Sequence, residues 1–414
     1  MFVGSESRDV GASKLRRFDC EREERPLSAH YSPGVSWGAR RIVHRLLEIY
    51  LPIMNNSEIT RLRLQNQRLS ATTFKTPAEV VSYLGAVQSQ DYAGAKWALA
   101  QRMQTVSDAA LEKAFSDGSV LRTHVLRPTW HFLAPKDIRW ILKLSAARVH
   151  AVNAFMYRQT GIDRANIKKS YTVMEKSLRG NKHLTRSELG SALAKAGIMA
   201  EGVRLGYFMM SAELDGVICS GARRGKQFTY ALLEERVPPV KSLTGDEALA
   251  ELTGRYFRTR GPATLQDFTW WSGLTLADAK RGIEMVKSKF RQEAMNGQTY
   301  WLSESMPDTA AKSPAVYLLP NYDEYFVGLK DRSAIGEVAG RANILKDNPS
   351  VMAHVIILDG QMVGGWKRTF EKKKVIVALD PITKLTGPEK QAVAEAVERF
   401  GKFLGLPFEL IWKK

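Results

Sequence analysis

Cysteine is nearly missing from this chain: Cys20 and Cys219 are the only two in 414 residues. That excludes a Cys-based zinc ribbon or iron–sulfur cluster and argues against a disulfide framework, so the chain reads as cytoplasmic. The seven histidines are scattered, with no HxH or HxxxH pair, which leaves metal catalysis little support; no metal and no cofactor are expected. No apolar run is long enough to span a bilayer, because "IVHRLLEIYLPI" is both short and charged. Low-complexity tracts are absent too. Negative charge is in short supply: 61 Lys and Arg stand against 43 Asp and Glu, for a net charge of +18. A surplus of that size favours polyanionic partners, nucleic acid first, and most of it lies beyond residue 53.

What is present reads as a soluble α+β protein of two or three domains. Residues 1–53 show no sustained period, and residues 1–57 are expected to be a disordered or misassigned N-terminal extension, with Met54 a plausible start. Three regions, 58–150, 151–240 and 241–310, then share one grammar: helices followed by a pair of strands. In the first, "TPAEVVSYLGAVQSQ" has apolar residues at Val80, Leu84 and Val87, and Thr76, Pro77 and Glu79 form a helix start. "SDAALEKAF" is a second helix, and "VLRTHVLRPTWHFLAP" alternates as a hairpin. In the second, Thr185 and Glu188 cap a helix, another follows, and "CSGARRGKQFTYALLEE" reads strand, basic tip, strand. Helix, helix and a hairpin with a cationic tip is the winged-helix arrangement, in which a helix enters a groove and the wing reaches phosphates. Three helices and a return strand "QTYWLSES" form the third region. Residues 311–414 are strand-rich with one long helix, a C-terminal β-rich subdomain.

The ordered segments "LGAVQSQDYAGAKWAL", "LRPTWHFLAPKD", "DFTWWSGLTLADAKRGI" and "LLPNYDEYFVGLKDRS" resemble the AlkZ-like family over about residues 58–414. This resemblance implies tandem winged-helix motifs, duplex DNA as partner, a monomer, and a monofunctional DNA glycosylase acting on alkylated or crosslinked bases. It also implies that a Gln-x-Gln pair, here Gln88 and Gln90 around Ser89, positions the water that attacks the sugar C1′. The chemistry is sound on its own terms. A cationic alkylated purine is already a good leaving group, so placing a water suffices without a strong base. On a helix the two side chains would diverge by about 200°, whereas on extended backbone they share one side. The reading therefore needs the helix to stop near Gln88. Otherwise the pair simply satisfies backbone groups at a helix end.

Arg127, Thr129 and His131 alternate, so a strand presents them on one face toward site and DNA backbone, with Trp130 and Phe132 on the other. Arg122 and His124, two apart on the preceding strand, are expected to join the Arg127 face. Arg223, Arg224 and Lys226 at the glycine-flanked tip are the phosphate candidates. Arg281, Lys287 and Arg291 read as a solvated helix face, Trp270 and Trp271 as core, and Lys372 to Lys374 as a hairpin turn. Asp323 and Glu324 are reserve catalytic candidates, though adjacent strand residues face opposite ways and more simply hold backbone and Arg332. Lys96 is the lysine nearest the motif, and no lyase activity is expected. The alternative is a non-catalytic winged-helix DNA-binding protein or transcriptional regulator; a third reading is an interaction protein using the same basic surface.

Overall fold

The computed structural model describes residues 54–240, 242–303, 313–336 and 353–413. The expectation for residues 1–53 lies outside the described residues. The boundary expected at residue 58 falls inside a helix, α1 (Asn56–Asn66), capped by Asn55, and Met54 is buried.

The first unit runs α2 (Pro77–Leu84), β1 (Val87–Gln88), α3 (Tyr92–Ala100), α4 (Asp108–Asp117), β2 (Leu121–Val125) and β3 (Arg127–Leu133). The capping box of Thr76 and Glu79 starts α2 as expected, but the helix ends at Leu84, before Val87. Gly85 turns the chain at φ +83°, a conformation that suits glycine, and the backbone becomes extended. The helix α3, absent from the two-helix grammar of the sequence, starts at Asp91, whose carboxylate accepts from Gly94 N–H. After α5 (Pro135–Gln159), also unforeseen, the second unit repeats the order: α6 (Arg164–Leu178), β4 (Leu184–Thr185), α7 (Arg186–Lys195), α8 (Gly202–Leu214), β5 (Ile218–Ser220) and β6 (Thr229–Leu232). A short α9 (Leu233–Arg236) follows. The third unit has α10 (Gly245–Arg260), α11 (Leu265–Ser272), α12 (Leu276–Val286) and the hairpin β7 (Phe290–Met295) and β8 (Gln298–Ser303), with Ala263 bridged to Trp301 where the other units have their first strand.

Sheet order repeats as well. It is β1-β3-β2 in the first unit and β4-β6-β5 in the second, so the last strand is central each time. The C-terminal part is a five-stranded sheet, β13-β12-β11-β10-β9, antiparallel except where β13 (Phe408–Trp412) runs parallel to β12 (Val375–Pro381). Its other strands are β9 (Val316–Leu319), β10 (Val355–Leu358) and β11 (Gln361–Phe370). Lys372 to Lys374 make the turn between β11 and β12. Among the described residues two α-helices belong to this part, α13 (Glu324–Val327) and α14 (Gly387–Leu404).

Packing divides these elements unequally. The second unit has its own core, built on Met174, Leu178, Leu189 and Phe208. The first shares one with the C-terminal sheet: Trp97 stacks edge-on against Phe400 at 5.0 Å and donates its indole N–H to Leu318 O at 2.7 Å. Each such large side chain contributes about 1.5–3 kcal/mol on burial, so the first unit is clamped rather than free-standing. Among the described residues no helix is long and apolar enough to cross a membrane.

Candidate active site and nucleic-acid interface

Between two helices, Gln88 ends the short strand β1 and Gln90 follows at a bend. Gln88 pairs with His131 in the antiparallel ladder, and Ser89 N–H donates to Trp130 O at 2.7 Å. The helix thus stops before Gln88 and the paired backbone runs on to Ser89, the local condition the water-holding reading requires. Gln88 is buried and Gln90 exposed. Arg127 Nη2 donates to Gln88 Oε1 at 2.8 Å, and Trp130 N–H reaches Gln90 Oε1 at 3.4 Å.

On β3, His131 lies opposite Gln88, and Arg127 reaches the same glutamine past a bulge in the register between Trp130 and Arg127 that interrupts the expected alternation. Across the sheet His131 stands between Gln88 and Thr123. That register corrects the expectation for β2: Arg122 lies opposite Phe132 and His124 opposite Trp130, on the other face. The Arg122 guanidinium sits 4.3 Å from the Trp130 ring centre and donates to Ser89 O from Nε and Nη2, both at 3.2 Å. Burial pulls Arg122 down to about 10, which leaves it protonated at neutral pH. Its position supports the Ser89 backbone; it is too buried to meet a phosphate directly. On the same face His124 Nδ1 bonds the buried carboxylate of Glu213.

His131 is wholly buried, and burial, with Arg127 nearby, holds its pKa well below 6.5. Its Nδ1 meets Thr129 O at 3.0 Å, so the neutral ring carries its proton there and leaves Nε2 as an acceptor. Four buried polar atoms here find no protein partner: His131 Nε2, Thr129 Oγ1, Thr123 Oγ1 and Arg127 Nε. Buried polar groups are seldom left unpaired, which makes the layer beneath Gln88 a place for ordered water.

The reserve carboxylates are structural. Neither lies on a strand: Asp323 caps α13, and Glu324 opens it. Asp323 takes two hydrogen bonds from Arg102, at 2.9 and 2.8 Å. Glu324 Oε2 accepts from Arg260 Nη2 at 2.6 Å and Trp271 Nε1 at 2.9 Å, while Oε1 accepts the Gln88 backbone N–H at 2.8 Å. Arg332, the partner expected from sequence, donates instead to Phe326 O. Glu324, Arg260 and Trp271 are the support that linear reasoning did not find, since 236 residues separate Glu324 from Gln88. Trp271 is core as expected, but Trp270 is 44% exposed, its indole N–H on Val327 O. Gly273, at φ +69°, lets α11 approach the hairpin tip: a Cβ there would lie 2.2 Å from Leu126 O.

At the tip of the second unit's hairpin, Arg224 and Lys226 are exposed around Gly225. Arg224 also pairs with Glu188 at 2.8 Å. Arg223 departs from the expectation. It folds back between the rings of Tyr92 and Phe228, 5.0 and 4.8 Å away, with Nη1 3.4 Å from Glu112. Lys96 is likewise engaged, buried between Asp108 and Glu112 at 2.8 and 3.0 Å. Arg281 and Lys287 pair with Asp278 and Glu284 on an exposed helix face and its end. A cavity of about 1050 Å³ opens between Trp97, Gln101, Tyr317 and Phe403, and neither glutamine lines it. Among the described residues, no three His, Cys, Asp or Glu side chains gather as metal ligands.

Two amides beside a layer of buried polar atoms without protein partners, on a body of repeated helix-and-hairpin units with a basic surplus, are compatible with a DNA glycosylase. Comparison with known proteins gives the family. The profile described as DNA glycosylase AlkZ-like matches residues 81–403, and the chain belongs to that family. It is 23% identical over 362 residues to an interstrand DNA cross-link repair glycosylase of Streptomyces sahachiroi, covering 84% of this chain and 97% of that protein. The solved structure of Streptomyces sahachiroi DNA glycosylase AlkZ superposes with a TM-score of 0.72 at 21% identity, over 87% of this chain and all of that one, so the two share a fold.

Proposed function

We propose that the protein is a monofunctional glycosylase that hydrolyses the N-glycosidic bond of alkylated or crosslinked bases in duplex DNA, with the Gln88–Gln90 pair forming the site to which the attacking water is brought. The observation that carries this reading is that the helix stops at Leu84 and the backbone pairs as a strand from Val87 to Ser89, so the pair is not splayed as it would be on a helix. An amide is too weak a base to ionise water. It is adequate where the leaving base already bears a positive charge and the transition state resembles an oxocarbenium ion. Such a site favours labile, cationic lesions over normal nucleosides.

The three repeated units read as winged helices, over about 58–150, 151–240 and 241–310, carried by the β-rich part from 311 onward. The monomer would bind DNA in the cytoplasm, on the nucleoid. Arg224 and Lys226 supply the wing's phosphate contacts. Thr129 and His131 line the hydrated layer, and Arg122 and Arg223 hold the hairpins in place. The test is release of N7-alkylguanine, and unhooking of a crosslink, by wild type and by the Gln88→Ala/Gln90→Ala double variant. The expected result is release by wild type and loss in the variant with DNA binding kept. A wild type that binds DNA yet releases nothing from a lesion panel would reduce the protein to a DNA-binding module.

A further inference from the structure

The two glutamines are not equivalent. A guanidinium can only donate hydrogen bonds, so the 2.8 Å contact from Arg127 Nη2 fixes the Gln88 amide end for end: oxygen on Arg127, NH2 turned away. Burial of Gln88, and Glu324 on its backbone N–H, remove the freedom to turn. Gln90 is exposed, and its oxygen meets only Trp130 N–H at 3.4 Å, the long edge of hydrogen-bond range. It turns at little cost. Arg127 itself is half-buried, and its Nε has no partner. The guanidinium is thus aimed at an amide oxygen, where it polarises the Gln88 N–H groups and makes them better donors.

We propose that Arg127 is a positioning residue that gives the pair two different jobs: Gln88 is a fixed donor to a sugar or phosphate oxygen of the substrate, and Gln90 is the acceptor that orients the attacking water. This rests on the glycosylase reading above. The attacking oxygen directs a lone pair at C1′ and its O–H bonds at acceptors, and a locked NH2 offers no acceptor. The water oxygen forms the bond to C1′ and the C1′–N bond breaks. Its electron pair leaves with the cationic base, which becomes neutral. The extra proton passes from the new hydroxyl to bulk water; Gln90 accepts a hydrogen bond throughout, never the proton.

The experiment is single-turnover release of N7-methylguanine from duplex DNA, with DNA affinity measured in parallel over a range of salt. Gln88→Glu keeps shape and acceptor but loses the donor; its rate falls at least about 10-fold, the worth of one hydrogen bond that positions the substrate. That variant stays folded, because the new carboxylate pairs with Arg127. Gln90→Glu keeps an acceptor and adds a titratable group, so its rate acquires a dependence on pH, rising through the carboxyl range, that wild type lacks. Arg127→Met lowers the rate about 10-fold without changing the salt dependence of binding, and Arg127→Lys, which keeps a donor, recovers part of the loss. Gln88→Glu working at the wild-type rate overturns the assignment. So does Arg127→Met keeping its rate while the salt slope drops by about 0.9, which would make Arg127 a phosphate contact. A wild type releasing no base defeats the glycosylase reading itself, a result distinct from a wrong ranking of variants.

Discussion

Replacing Glu324 by Gln separates support from chemistry at this site. The change keeps the shape of the side chain and one acceptor oxygen but removes its charge. In the fold that charge faces Arg260, itself fully buried, at 2.6 Å, and the same oxygen holds the Trp271 indole. Taking one partner from a buried ion pair costs about 3–5 kcal/mol, because the other charge stays desolvated and uncompensated. Weakening the bond to Gln88 N–H adds to this. Against a typical total of about 5–15 kcal/mol, the loss takes up a large part of the stability. Urea unfolding followed by tryptophan fluorescence is the assay, since Trp271 lies in the cluster. Glu324→Gln should unfold at a clearly lower urea concentration, and the Arg260→Met/Glu324→Leu double variant should recover much of the loss by replacing the pair with apolar packing. An unchanged midpoint combined with lost base release would refute this reasoning and return Glu324 to the chemistry.

Charge reversal at Arg224 and Lys226 should weaken DNA binding and lower the salt slope by about two, one per lost phosphate contact; the same change at Arg223 should mainly lower thermal stability, since that side chain is packed on Tyr92 and Phe228. His131 is held neutral, its pKa depressed by burial, so the unfolded chain binds a proton more readily. Its share of stability is present above about pH 6.5 and lost as pH falls from there toward the depressed folded value, at up to about 1.4 kcal/mol per pH unit. Urea midpoints at pH 7.5 and 5.5 should show that slope, and His131→Phe should flatten it. With Lys96 paired to two carboxylates, borohydride should trap no covalent DNA adduct during base release; a trapped adduct lost in Lys96→Met would contradict the monofunctional assignment.

Much of the architecture was written locally. Thr76 with Glu79, Thr185 with Glu188, Thr264 with Asp267 and Thr275 with Asp278 form capping boxes in the fold, and each is readable as a short motif, because the bonds span three residues. Alternation separated His131 from Trp130 and Phe132, since strand side chains repeat every two residues, although a bulge that no spacing announced interrupts it before Arg127. Local rules were less reliable at Val87. Its spacing from Leu84 suits a helix, but Gly85 ends that helix and the ladder to β3 takes the next residues.

The sequence by itself determined most of the elements (α3 and α5 excepted), several of their caps, the repeated order of helices and hairpin, the basic surplus and the Gln88–Gln90 pair. Tertiary structure decided which of these side chains act together. Strand register turned Arg122 and His124 away from the glutamine face, a choice that depends on how two strands align. Packing folded Arg223 onto aromatic rings from two units, whereas Arg224 and Lys226 stay exposed. The Gln88 backbone is held by Glu324, and Glu324 by Arg260 and Trp271, contacts made across three parts of the chain. Hydrogen bonds and desolvated charges act over a few ångströms of space, and no spacing along the chain records which distant residues will come that close.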